Sequence, residues 1–512
     1  MGLSAYFRLV HTGWVLAREG ILAIMDSPAV PPAMRAGLRI GRLLERPEVR
    51  RTGRVERLTN ALNRLGPTYV KFGQILATRP DIVGAAVADD LSVLQDKMEP
   101  FDPASVPGLL RAALGAKADA LSELSAPIAA ASIAQVHRAV LTDADGRRTV
   151  AVKVLRPGVA ERFRRDIEAQ YAGARLAEAL VPRLRRLRPV EIVKTLDRSA
   201  RLELDLRLEA AAISELAGNI EGDTGFVIPK VFWNQTAANV LTTGWVEGIP
   251  ARNLAAIDAA GLDRKKIAAN LLQSFLRHAM RDGFFHGDLH PGNLFVDPKT
   301  HDVIAVDFGI MGRINRRERR FLAEILYGFI TRDYHMIARR HFEIGYVLAD
   351  QSVDDFALAL RAIGEPQQGR LASDISMAEV LGQLFATTEM FQMKARPELI
   401  LLQKAMVLVE GVSRAIDPDL DIFTVAEPVV GEFVRRAAGP VGRLEQLQDH
   451  AETAFKTLGR VPALMTRVET VLDAQQQAAR SPGRKWHHAL QLTAFVAIIC
   501  AAVVYIVTQL AG

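Results

Sequence analysis

An ordered pair of polar turns set between short apolar runs restricts the folding of this chain more than any other feature. PhePheHisGlyAspLeuHisProGlyAsnLeuPheVal occupies residues 284–296, and AlaValAspPheGlyIle follows at 305–310. Asp288 and Asn293 lie on a loop before the apolar run 293–297, and Asp307 opens a turn after the next run, 303–307. Phosphoryl transfer needs such a set. One carboxylate orients or deprotonates the attacking group, while an amide oxygen and a second carboxylate hold Mg²⁺ against a triphosphate. Mg²⁺ is a hard ion that takes oxygen ligands, which Asn293 and Asp307 offer. Either turn alone could be a hairpin made of turn-favouring residues; both in this order point to the chemistry. His286 and His290 fit loop packing and hydrogen bonding better than metal ligation, because no third metal-type partner stands beside them.

Upstream, ArgThrValAlaValLysValLeu (148–155) alternates β-branched and other residues at period two, which predicts a half-buried strand. That alternation sets Lys153 on the face opposite Val152 and Val154, where it can meet a nucleotide while they face a core. A strand lysine alone is ordinary surface. Glu209, on the helical stretch from about Val190 to Ile220, stands where a protein-kinase helix supplies the glutamate that pairs with such a lysine. Short strands are expected at 227–231 and 239–246, and the pattern is mainly helical from Asn253 onward. Strand-rich followed by helix-rich sequence predicts two lobes.

Where a glycine-rich phosphate loop would stand, the chain has AlaAlaAlaSerIleAlaGlnValHis (129–137). Alanine disfavours positive φ, so Ala129, Ala130, Ala131 and Ser132 would approach phosphates with less freedom than glycines. The hinge is expected at residues 243–246, with backbone groups of Gly244 and Val246 meeting adenine.

Three further motifs carry a resemblance. LysPheGlyGln (71–74), the alanine-rich loop (129–137) and GluLeuAsp (203–205), with Glu209 six residues after Glu203, follow one another in order. From about Leu65 to about Ile310 the chain resembles the UbiB family of atypical kinases, called the ADCK group in animals. Ordinary kinases and aminoglycoside phosphotransferases lack the first two motifs. The resemblance implies that a helical extension lies over the active site, with Lys71 and Gln74 gating it and Lys71 near Glu203 or Asp205. It also implies ATP binding and hydrolysis with Mg²⁺, coupled to a lipid or isoprenoid quinone precursor or to other proteins of ubiquinone biosynthesis at the membrane. On an ideal helix Glu203 and Asp205 diverge by about 200°, so both cannot face one lysine, whereas Asp205 and Glu209 would share a face. Gly244 stands where the family often has a hinge glutamate.

The single cysteine, Cys500, excludes intramolecular disulfides and cysteine-rich zinc sites. The net charge of +6 is too mild to choose a partner, and aromatic residues do not interleave with the basic clusters at 183–188 and 313–320. Nucleic acid is therefore not an expected partner. Residues 489–510 carry no charge and are long enough to cross ~30 Å of hydrocarbon as a helix. Arg484 and Lys485 precede this stretch, which predicts a single-pass C-terminal anchor in the inner (cytoplasmic) membrane with the body in the cytoplasm.

The expected fold class is α+β: a protein-kinase-like two-lobe fold with an N-terminal helical extension and a C-terminal transmembrane helix. Its divisions are the extension (1–124), N-lobe (125–247), helical C-lobe (248–425), helical tail and linker (426–488), and membrane helix (489–510). Asp288 is the expected catalytic residue, Lys153 and Glu209 align phosphates, and Asn293 and Asp307 hold the metal. Two other functions fit the same motifs: a small-molecule phosphotransferase like the aminoglycoside kinases, and a nucleotide-binding scaffold without catalysis.

Overall fold

The computed structural model describes residues 3–21, 43–77, 99–180, 188–348, 350–365 and 397–438, with positions 87, 90, 91, 185, 383, 387 and 391 between them. Two compact units divide the chain, Met1–Val434 and Arg435–Gly512, and only residues 435–438 of the second are described.

The extension contributes α1 (Leu3–Arg18), α2 (Arg54–Leu65) and α3 (Pro67–Ala77). Gly66 separates the last two at φ +99°, a conformation that favours glycine, and the Arg162 guanidinium lies over it. Val15, Leu62, Leu65, Tyr69, Val70 and Leu91 form a small apolar core of their own. A proline-punctuated turn at Pro103–Ser105 leads into α4 (Val106–Leu114), as the spacing of Pro100, Pro103 and Pro107 suggests.

Next come β1 (Leu121–Ser122), β2 (Pro127–Ala130), β3 (Ala134–Asp143) and β4 (Gly146–Leu155). Helices α5 (Val159–Leu180), α6 (Pro189–Glu203) and α7 (Leu206–Asn219) follow, then β5 (Phe226–Val227), β6 (Val240–Gly244) and β7 (Ile249–Pro250). The first sheet runs β1-β3-β4-β6 with β2 also on β3. Asp143 opposes Gly146 at the β3–β4 turn, where Gly146 takes φ +110°. Val150, Val152 and Val154 are almost wholly buried, in a cluster with Val106 and Leu110 of α4. Each contributes roughly 1.5–3 kcal/mol by leaving water.

The second lobe holds α8 (Leu254–Ala259), α9 (Arg264–Leu276), a π-helical turn (Arg277–Asp282), β8 (Phe284–His286), β9 (Leu294–Val296), β10 (Val303–Ala305) and β11 (Met311–Arg313). A second sheet runs β5-β10-β9-β7, and β8 pairs with β11. Beyond lie α10 (Arg316–Thr331), α11 (Tyr334–Ile344), α12 (Val353–Gly364), α13 (Pro397–Ile416) and α14 (Ile422–Ala438).

Several expectations are corrected. The helical stretch from about Val190 to Ile220 is two helices that break at Leu204–Asp205. Phe226–Val227 joins the second sheet, parallel to β10, because Gly225 with φ +93° turns the chain toward Asn270 on α9. The transmembrane helix is not supported: among the described residues no helix is long and apolar enough to cross a membrane. Residues 489–510, on which that expectation rested, lie outside the described residues. The single-pass inner-membrane anchor is withdrawn with it.

Candidate active site

Lys153 leaves β4 on the face opposite its valine neighbours, with Leu241 of β6 directly across the strand pair. Its Nζ donates to both oxygens of Glu209 at 2.9 Å and to Oδ1 of Asp307 at 2.8 Å. Glu209 lies in the first turn of α7, whose start is fixed by Asp205 accepting the Arg207 N–H at 3.1 Å. Burial works against the Lys153 ammonium, but Asp307 and Glu209 outweigh it and raise its pKa. The same ammonium holds the Asp307 carboxyl well below the usual carboxylate range. Burial, with the charge of Asp307 adding to it, pushes Glu209 upward. One cation thus faces two carboxylates. The Asp307 side chain keeps 51% of its surface accessible, so negative charge stays within reach of an incoming cation.

The β9–β10 hairpin brings the metal-type residues to one end. Leu294 opposes Ala305, and on the next rung Val306 donates its N–H to the Asn293 carbonyl at 2.9 Å. Nδ2 of Asn293 donates to the Asp288 carbonyl at 3.2 Å, which commits that nitrogen and leaves Oδ1 as the donor atom for a metal. Nδ1 of His286 accepts the Asp288 N–H at 3.0 Å, so the proton sits on Nε2, which donates to the Asp307 carbonyl at 3.0 Å. Burial lowers the pKa of His286, and with both ring nitrogens engaged it ties one polar turn to the other as a neutral strut. Among the described residues no hydrogen bond reaches the Asp288 carboxylate, while its backbone is held on both sides.

Asp307 has φ +62°, a conformation unfavourable for an L residue. Three bonds hold it there: Lys153 on the carboxylate, His286 on the carbonyl, and the Phe308 N–H on Oε1 of Glu209 at 3.3 Å. Gly287 is equally constrained by space, since a Cβ would lie 2.9 Å from Cγ2 of Ile310 and 3.1 Å from Cδ1 of Leu401 on α13.

Two family models match the sequence. Residues 93–341 match the model of the ABC1 atypical kinase-like domain, and residues 360–421 match the UbiB helical domain. The "Probable protein kinase UbiB" of Marinobacter nauticus is 36% identical over 465 residues, 90% of this chain and 84% of that protein. The same-named protein of Azotobacter vinelandii is 37% identical over 505 residues, 96% and 92% of the two chains. The chain belongs to the UbiB family. That of Xanthomonas axonopodis pv. citri is 37% identical over 494 residues, covering 94% of this chain and 88% of its own. A solved structure, the Rv3197–erythromycin complex from Mycobacterium tuberculosis, matches 70% of this chain and 87% of that one at 24% identity and TM-score 0.48, too weak a likeness to carry weight.

The UbiB motif residues divide into those that meet the Lys153 cluster and those that do not. Lys71, 9% exposed on α3, reaches Oε2 of Glu203 at 2.7 Å, and its charge also lowers the Asp307 pKa. Gln74 follows one turn on, half-buried. Asp205 turns away: it caps α7 and pairs with Arg207 at 2.6 Å, so it shares no helical face with Glu209 and leaves Lys71 to Glu203. Ala129 and Ala130 are strand residues of β2, and the tight turn after them needs no positive φ.

The hinge expected at residues 243–246 overlaps the segment that joins β6 to β7. Gly244 ends β6 and its N–H is taken by the Lys230 carbonyl at 2.8 Å, while the Trp245 N–H goes to Thr149 at 3.2 Å. The crossover between lobes lies at residues 245–248, so it contains Val246, and the exposed Glu247 lies there too. Sequence reading also missed Arg156, whose Nε and Nη2 donate to the Ala131 carbonyl at 3.1 and 2.9 Å. No local motif announces a residue that acts from the far end of a strand.

Proposed function

We propose that this chain is an atypical kinase-like ATPase that binds Mg²⁺·ATP between its lobes and supports ubiquinone biosynthesis by handling a lipid-like isoprenoid quinone precursor. Family membership supports the pathway. The bridge from Lys153 to both Glu209 and Asp307 supports the nucleotide site, because it joins groups from three separated segments into one charged cluster.

ATP and Mg²⁺ fit the residues present. Asp307 and Oδ1 of Asn293 are hard oxygen donors, and the excess negative charge around Lys153 suits a divalent cation. Asn293 and Asp307 would hold Mg²⁺, which would supply positive charge to offset the negative charge of the phosphates. Lys153 would contact the α/β-phosphates while Glu209 keeps its ammonium aimed, and the Asp288 carboxylate would orient the attacking group or take its proton. The alanine turn, strapped by Arg156, would line the phosphates as a stiff wall.

A peptide substrate fits poorly. Residues 310–315 connect the AspPheGly turn to α10, and within them β11 is already paired to β8, with Met311 opposite His286. No chain length is left there for a peptide-binding loop, which favours hydrolysis or a small acceptor.

The test is a strain lacking this chain, restored with wild type or Asp307→Asn, in which ubiquinone and its intermediates are measured beside Mg-dependent ATP hydrolysis of the purified proteins. The proposal expects ubiquinone to fall in the deletion, to return with wild type and not with the variant, and hydrolysis to drop at least about a hundredfold in Asp307→Asn. Normal ubiquinone in the deletion strain removes the pathway role, and unchanged hydrolysis removes the site.

A further inference from the structure

One carboxylate of the kinase-like body gathers polar groups from α1 and α3 of the extension. Asp166 lies on α5 and is 4% exposed. Its Oδ1 pairs with Nη1 of Arg8 from α1, and its Oδ2 accepts the Thr68 hydroxyl of α3 at 2.8 Å. Beside it, Nη2 of Arg162 donates to the Leu65 carbonyl at 3.3 Å, over Gly66. Leu9 of α1 is seated over Gly173 of α5, where an added Cβ would lie 2.9 Å from its Cδ2. The apolar cluster of the extension draws only on residues up to Leu91. Such a part can shift on the body without exposing the main core, provided its polar ties release.

Thr68 lies on α3 three residues before Lys71, hence on the same helix face one turn away. Holding Thr68 therefore holds Lys71, whose ammonium meets Glu203 and acts on Asp307. We infer that Asp166 is the positioning residue of this site: through Thr68 and Arg8 it fixes where the extension sits, and so sets how fast nucleotide reaches the Lys153 cluster. The inference rests on the nucleotide site proposed above. Asp166 touches no reacting group, so its loss changes access and leaves the chemical step to Lys153, Asp288 and Asp307.

Asp166→Asn keeps the shape and removes the charge. Hydrogen exchange of the full-length chain and stopped-flow association of a fluorescent ATP analogue test it together. Amides of α3 should exchange roughly tenfold faster, as expected from losing hydrogen bonds to a buried charge. Those of β3 and β4 should hold their wild-type rates, nucleotide association should quicken several-fold, and kcat should stay within about twofold. Thr68→Val removes one hydroxyl and no charge, should move each reading the same way by less, and carries the test if Asp166→Asn fails to fold.

Wild-type exchange in α3 would overturn the assignment, and so would a loosened α3 with unchanged nucleotide association. If neither wild type nor variant binds nucleotide, the proposed site fails. The exchange rates then decide by themselves whether Asp166 ties down the extension.

Discussion

Two lysines from different parts of the chain act on the same carboxylate, one by contact and one through its field. Lys153 comes from the middle of a sheet, is bonded directly to Glu209 and Asp307, and is fixed by strands on both sides. Lys71 comes from a helix of the extension, pairs with Glu203, and influences Asp307 through its field. The glutamates flank one helix break, Glu203 closing α6 and Glu209 in the first turn of α7. Lys153 is therefore built into the body, whereas the place of Lys71 depends on how the extension is tied. The first should govern whether phosphates bind at all, and the second how readily they arrive.

Substitutions can break that contrast. Lys153→Ala leaves Glu209 and Asp307 together without their cation, and ATP hydrolysis should fall about a hundredfold or more. Lys71→Ala should alter nucleotide affinity by no more than about tenfold and leave a measurable rate; equal losses in the two variants would erase the distinction. Gly66→Ala forces an L side chain into the +99° φ, so it should lower the thermal midpoint by several degrees and speed exchange in α3 before β4.

Acid tests a group outside the cluster. Burial, with Arg281 adding to it, lowers the His278 pKa from 6.5 to about 3, so the unfolded chain takes up a proton that the fold refuses. The contribution of His278 to stability is full above pH 6.5 and is lost as pH falls from there toward about 3. Unfolding midpoints followed against pH should decline over that window, and less steeply in His278→Gln. A decline of the same slope in that variant would place the titrating group elsewhere.

Much of the cluster was legible because it is local in sequence. Asp288, Asn293 and Asp307 lie within two hairpin turns, where residue type, spacing and strand length constrain one another. Lys153 was legible from period two, since the valines on either side had to face a core. Asp205 was misread because a run of helix formers hides a break: an aspartate can cap a new helix as readily as sit inside one, and Arg207 two residues on decides the matter. The bond that occupies the Gly244 N–H comes from Lys230, a distant partner that spacing does not reveal. Arg156 and Asp166 escaped for the same reason, since their roles come from segments brought together only by folding.

The most direct test is calorimetric titration of ATP into the full-length protein with and without Mg²⁺, for wild type, Lys153→Ala and Asp307→Asn. Groups converging on one metal-bound triphosphate predict Mg-dependent binding in wild type that either substitution abolishes. Mg-dependent binding that survives in both variants would contradict a shared site built around Lys153 and Asp307.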